Sequence, residues 1–187
     1  MAIRLNFLHA ATLALAATCV PASAALLTFE DLPHEYELQG VGDAVYAQQF
    51  VIQYAPAAGE PYPVGLFSVG KMWRFNGRST ALVANSCSAT VTLKADDNNP
   101  ISLVSIDLAE LNGDPDVRVD FEGVTTDGQI VQHGWNLNSR RVWQTVYFPF
   151  TFRRLQYVRW TQGDCIVNKP HMFDNVRVFK SVPAGAL

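Results

Sequence analysis

Near its C-terminal end the chain reads KPHMFDNVRVF, residues 169–179. Strands disfavour Asp and Asn, so the pair Asp174-Asn175 ahead of the alternating Val176-Arg177-Val178-Phe179 needs a reason. It could hold a metal, supply a catalytic carboxylate, or form a polar strand entrance. His171 lies three residues before Asp174, which suggests an acid–base dyad. On a strand, however, residues three apart point to opposite faces, so no dyad is expected. His133 sits between Gln132 and Gly134 with no acid beside it, and His34 is isolated in sequence. Glycoside hydrolysis needs two carboxyl groups at a set separation across a cleft. Asp114/Asp116 and Asp120/Glu122 fit a turn and a solvated strand face better. No G-x-S-x-G, H-E-x-x-H or P-loop pattern occurs. The expectation is a protein that is not an enzyme, with a jelly-roll lyase or small hydrolase as the catalytic alternative.

A second chemistry is stacking. Sugar rings lay their C–H faces on exposed aromatic rings, with a few polar groups orienting the hydroxyls. Trp73 lies in KMWRFNGR beside Lys71, Arg74, Asn76 and Arg78, and is the leading ligand-binding candidate. Trp135, followed by Asn136 and Asn138, is next. Trp143 and Trp160 fall inside alternating stretches and read as core. For any single Trp, burial in the core is the commoner fate.

These residues must be positioned by strands, because the chain shows almost no helical periodicity. Short alternating runs are separated by turn residues. Val117, Val119 and Phe121 face one way, and Arg118, Asp120 and Glu122 the other. Thr126-Asp127-Gly128 reads as a hairpin turn, and Asp96-Asp97-Asn98-Asn99-Pro100 as a turn. The predicted strands include Leu26–Glu30, Val45–Gln53, Ile101–Ala109, Leu155–Thr161 and Met172–Phe179. About ten such strands point to an all-β, two-sheet, jelly-roll-like sandwich.

The N-terminal segment reads as a secretory signal peptide. Arg4 precedes a mostly Ala, Leu and Thr run from Leu5 to Val20, and Pro21-Ala22-Ser23-Ala24 supplies the small-residue cleavage pattern. The expected organisation is a signal over 1–24, one domain over 25–180 and a frayed tail over 181–187. The formal charge of −3 excludes a nucleic-acid binder of the basic type. No second long apolar stretch is present, so no membrane association is expected once the signal is removed. Of three Cys, Cys19 leaves with the signal. Cys87 and Cys165 remain as an even pair in an oxidising compartment, and a disulfide is expected, two buried free thiols being the alternative.

Several stretches together resemble the secreted β-sandwich domains of bacterial PEP-CTERM-type proteins. They are LLTFEDLP near the start, then TDGQIV, VWQTVYFPFTFRRLQYVRW and the closing FDNVRV. The chain departs from that pattern after Val182-Pro183, where four residues stand in place of a sorting anchor. The resemblance implies a fold similar to the jelly rolls of carbohydrate-binding modules. It also implies terminal strands running side by side and a structural Ca²⁺ held by a carboxylate from each. Here those would be Glu30 and Asp174, with Asp43 and Asn175 as further donors. Calcium wants six to eight oxygens, and strand-end capping by the same carboxylates is the alternative. The combined expectation is a secreted or periplasmic, non-catalytic binding or matrix protein whose partner is a polysaccharide. A structural envelope or biofilm protein without a glycan site is the alternative.

Overall fold

The computed structural model describes residues 24–32, 38–59, 65–70, 79–84, 86–111, 117–137, 142–163 and 170–180. Residues 1–23 of the expected 1–24 signal, the expected tail over 181–187 and the stretch holding Trp73 lie outside the described residues, while Ala24 opens the first strand. In chain order the strands are β1 (Ala24–Leu27), β2 (Leu38–Gly42), β3 (Ala44–Ala47), β4 (Phe50–Ala55), β5 (Leu66–Val69), β6 (Ala81–Ala84) and β7 (Thr90–Ala95). They continue with β8 (Ile101–Glu110), β9 (Val117–Thr125), β10 (Ile130–Leu137), β11 (Gln144–Tyr147), β12 (Leu155–Thr161) and β13 (His171–Lys180). All pairings are antiparallel.

The ladders make two layers. The first runs β2-β5-β6-β13-β8-β11, with β1 on the second half of β13. The second runs β3-β4-β7-β12-β9-β10. A single bridged pair, Leu155 with Ile101, joins them at a corner. The fold class read from the sequence is therefore the observed one, with 13 strands among the described residues where about ten were expected. Part of the excess has a local cause. The stretch read as one strand from Val45 to Gln53 is a hairpin, turning at Gln48 and Gln49 with φ of 46° and 70°. Two-residue hairpin turns of this hand need positive φ at both positions and are usually written Asn-Gly. Two glutamines give no such signal.

Between the layers lies a continuous apolar core. Trp160 spans its middle, 5.6 Å from Phe121 of its own sheet and 5.1 Å from Phe173 of the other, edge to face with the latter. Phe29 meets Phe173 from the far side at 5.9 Å. Edge-to-face pairs add to burial energy, so this aromatic chain staples sheet to sheet. A smaller cluster of Val69, Ala81, Val83, Ala109, Leu111 and Met172 packs outside the first sheet, with Trp143 partly buried against it.

The Asp-Asn pair belongs to a bulge. In β13, Asp174 stands opposite Asp107 and Arg177 opposite Ser105, so β13 carries one residue more than β8 there. Between Arg177 and Val178 the extra residue is on β8, and the two irregularities compensate. Asn175 takes φ 48°, a left-handed conformation that Asn adopts more readily than most residues. Its backbone N–H donates to Asp174 Oδ1 at 2.7 Å, and its side-chain Nδ2 donates to Asp107 Oδ2 at 3.0 Å. The extra residue lets Phe173, Val176 and Val178 all reach the core. His171 faces inward opposite Glu110, and Asp174 faces outward opposite Asp107. Burial pushes the His171 imidazole down to about 4, and neither ring nitrogen has a hydrogen-bond partner among the described residues.

Replacing Asn175 by Val should cost about 2–4 kcal/mol, from a β-branched residue at positive φ and a carboxylate left short of a donor. Asn175→Gly should cost less, because glycine accepts the backbone conformation. Urea denaturation of both variants checks the order; a Gly variant weaker than the Val variant would contradict a conformational role for this residue.

Candidate functional site

The outer face of the second sheet is polar because the outward residues of β9, β10 and β12 alternate with buried apolar ones. Strand register sorts them into rows. Thr92, Arg159, Glu122 and Gln132 stand side by side across β7, β12, β9 and β10. In the next row Thr161 is opposite Thr90, and Asp120 is opposite Gly134. Arg118 and Asn136 follow as a pair. Cross-strand neighbours on one face lie about 5 Å apart, so these side chains must meet.

They meet as ion pairs and hydrogen bonds. Arg159 Nη2 is 2.5 Å from Glu122 Oε1. Arg118 binds Asp120 Oδ1 through Nε and Nη2, both at 2.8 Å, and its Nη1 donates to Asn136 Oδ1 at 3.3 Å. The Asp120 bond holds the Arg118 guanidinium above its ordinary range. Arg118, Asp120, Glu122 and Arg159 line an open groove of about 780 Å³ that also includes Thr90, Gln132, Gly134 and Thr161. Exposed pairs of this kind contribute at most about 1 kcal/mol each to folding. Their effect is to hold donors and acceptors in a fixed row.

Gly134 makes the floor. A Cβ there would fall 1.9 Å from Arg118 Nη2 and 2.6 Å from Asp120 Oδ1. The Arg118–Asp120 pair can lie flat across β10 only because the side chain is missing.

The structure sorts the residues singled out from the sequence. Asn136 is exposed and belongs to the groove network. Trp135 is half-buried, stands opposite Val119 and packs against the main core, its indole N–H donating to Gln144 Oε1 at 3.3 Å. It thus lies on the core side of β10 and does not line the groove. Trp73, Arg74 and Asn76 lie outside the described residues. Trp160 is buried, as its alternating context implied. His133 faces inward, its ring 5.4 Å from that of Phe148. Cys87 is a bonded cysteine half-buried between β6 and β7, while Cys165 lies outside the described residues.

Glu30 and Asp174 do approach one segment. Thr80 N–H donates to Glu30 Oε1 at 3.2 Å, and the neighbouring Ser79 hydroxyl donates to Asp174 Oδ2. Asp174 is fully buried. Asn175 turns its amide to Asp107 instead. Asp43 lies in the β2–β3 bend beside Gly65, its carbonyl accepting from Tyr54 N–H at 2.8 Å. Among the described residues no three His, Cys, Asp or Glu side chains converge as a metal cluster would. The described residues show both carboxylates joined to one segment, Glu30 through the Thr80 N–H and Asp174 through the Ser79 hydroxyl.

Sequence reasoning read Asp120 and Glu122 as a solvated face and gave Arg118, Arg159, Gln132 and Gly134 no role. The usable signal was opposite charges at period two, R-x-D-x-E over 118–122, facing the outward Arg159 of VRWT. It becomes visible only once β9 is paired with β12.

No family model matches the chain, and no curated protein matches it in sequence. Solved structures are similar in fold. The K2 cleaved adhesin domain of Lys-gingipain aligns over 85% of this chain and 100% of that domain, at 14% identity and a TM-score of 0.50. A family 11 carbohydrate-binding module of a Clostridium thermocellum cellulosomal cellulase aligns over 81% of this chain and 99% of that one, at 10% identity and a TM-score of 0.40. A family 29 carbohydrate-binding module aligns over 86% of each, at 11% identity and a TM-score of 0.40. The similarity to the adhesin domain establishes the β-sandwich and leaves the chemistry to the groove.

Gly134→Val tests the floor. The variant should melt within about 1 kcal/mol of the parent, since Val suits a strand and only an exposed ion pair is lost. A crystal structure should show Arg118 swung off Asp120. A loss of several kcal/mol would mean that the glycine serves the backbone rather than the groove.

Proposed function

We propose that this is a secreted or periplasmic, non-catalytic protein that binds polysaccharide along the groove of the second sheet. The observation that carries the reading is the cross-strand row of Arg159, Glu122 and Gln132 beside Arg118, Asp120 and Asn136. Rows of fixed donors and acceptors on a flat sheet match the repeated hydroxyls of an extended glycan. Because each cation already faces an anion, the groove suits neutral sugars. The same pairing speaks for binding over hydrolysis, since both carboxylates are engaged by guanidinium groups. The expected signal peptide supports the location.

Two features extend the proposal. A Cys87–Cys165 disulfide is supported by the bonds of Ser88 N–H to Gly163 C=O and Gln162 N–H to Ala89 C=O, which bring the two chain segments together. Closing so long a loop would stabilise by roughly 3–5 kcal/mol in the chain-entropy model. A calcium ion at the Glu30–Asp174 clasp would need donors beyond those described. Melting the protein with and without reductant, and with and without chelator, checks both. Reductant should lower the midpoint, and an unchanged one would remove the disulfide. A midpoint that ignores the chelator would remove the ion and leave Ser79 and Thr80 as the clasp.

A glycan array should show binding to an extended neutral polysaccharide. Arg159→Ala, which removes a charge-assisted contact, should weaken it by about tenfold with little change in stability. An array with no binding would favour a structural envelope protein. Turnover of the bound glycan would favour an enzyme.

A further inference from the structure

The opposite face of the sandwich carries its own site. Four strands of the first sheet place one residue each in a single row: Leu26 of β1 is opposite Arg177 of β13, Arg177 is opposite Ser105 of β8, and Ser105 is opposite Tyr147 of β11. Tyr147 is 69% exposed and Leu26 is 42% exposed, while Ser105 between them is nearly buried. The row is therefore a trough with a small residue at its floor and an aromatic ring on one wall. Two strand spacings, about 10 Å, separate the Tyr147 and Arg177 backbones. In the next row Thr145 donates to Asp107 at 2.6 Å and Asn175 donates to its other oxygen at 3.0 Å. The trough has a volume of about 300 Å³.

Its charges are paired differently from those of the first groove. Both arginines there are paired, Arg118 with Asp120 and Arg159 with Glu122. Arg177 lines the trough and has no ion pair among the described residues. Asp107 also lines the trough, but it is nearly buried and its two oxygens accept from Thr145 and Asn175. A guanidinium with no ion pair among the described residues, two strands away from an exposed phenol ring, matches a ring that carries its own carboxylate.

We infer that this trough binds a hexuronate residue of an acidic polysaccharide, its ring stacked on Tyr147 and its carboxylate paired with Arg177. Leu26 borders the carboxylate side, and the Asn175 bulge holds Asp107 back from competing for the guanidinium. The site is independent of the first groove in position and in ligand charge; it shares with the proposed function only the premise that the protein meets polysaccharide.

The test titrates the full protein with tetramers of galacturonate, mannuronate and guluronate, and with hyaluronan tetrasaccharides, following tyrosine and tryptophan fluorescence or heat. At least one acidic tetramer should bind. Tyr147→Ala and Arg177→Gln should each weaken that binding by about tenfold, and added salt should weaken it further. Arg159→Ala should leave it unchanged, which separates this site from the first groove. Both substituted side chains are exposed, so folding of the variants is checked by their melting curves. Absence of binding to every acidic tetramer overturns the inference. So does binding that survives both substitutions, or binding lost equally in Arg159→Ala.

Discussion

The structure depends on one left-handed residue in its most connected strand. β13 pairs with β8 along one edge and with β6 and then β1 along the other. Without the extra residue at Asn175, a side chain two positions after Phe173 would point inward and Arg177 would follow it. A slip of one flips every later side chain to the other face. The bulge instead sends Phe173, Val176 and Val178 inward and Arg177 outward. It also leaves the Asn175 amide beside Asp107. One conformational choice thus completes the core, clasps the terminal strands and shapes the trough on the outer face.

Much of this was legible in the sequence. Clean alternation over Val117–Glu122, with similar short runs elsewhere, pointed to the sandwich, since side-chain period two is set by strand geometry alone. The opposite-face argument for His171 and Asp174 also survives, because the register shift lies after Asp174. What the sequence hid depends on partners. Gln48 and Gln49 turn a hairpin without the usual turn residues. Trp135 sits on an alternating strand whose inner face could not be distinguished from its outer face until Val119 was placed opposite it. The groove charges are far apart in sequence, and only the β9–β12 register makes Glu122 and Arg159 neighbours.

The same physics separates scaffold from surface. The aromatic chain from Phe121 through Trp160 to Phe173 holds the sheets together. The ion pairs outside contribute little to folding, so their residues are available for recognition. With a paired-charge groove on one sheet and, on the other, a trough lined by an arginine that has no ion pair among the described residues, the proposed sites face away from each other. A protein with two such faces could bridge glycan chains, and linked sites gain avidity without any new contact.

Amide chemical-shift mapping tests the account of these faces most directly. During titration with a bound neutral oligosaccharide, the largest changes should fall on Arg118–Glu122, Gln132–Gly134 and Arg159–Thr161. Changes confined to residues 71–78 around Trp73, with those strands unmoved, would contradict it.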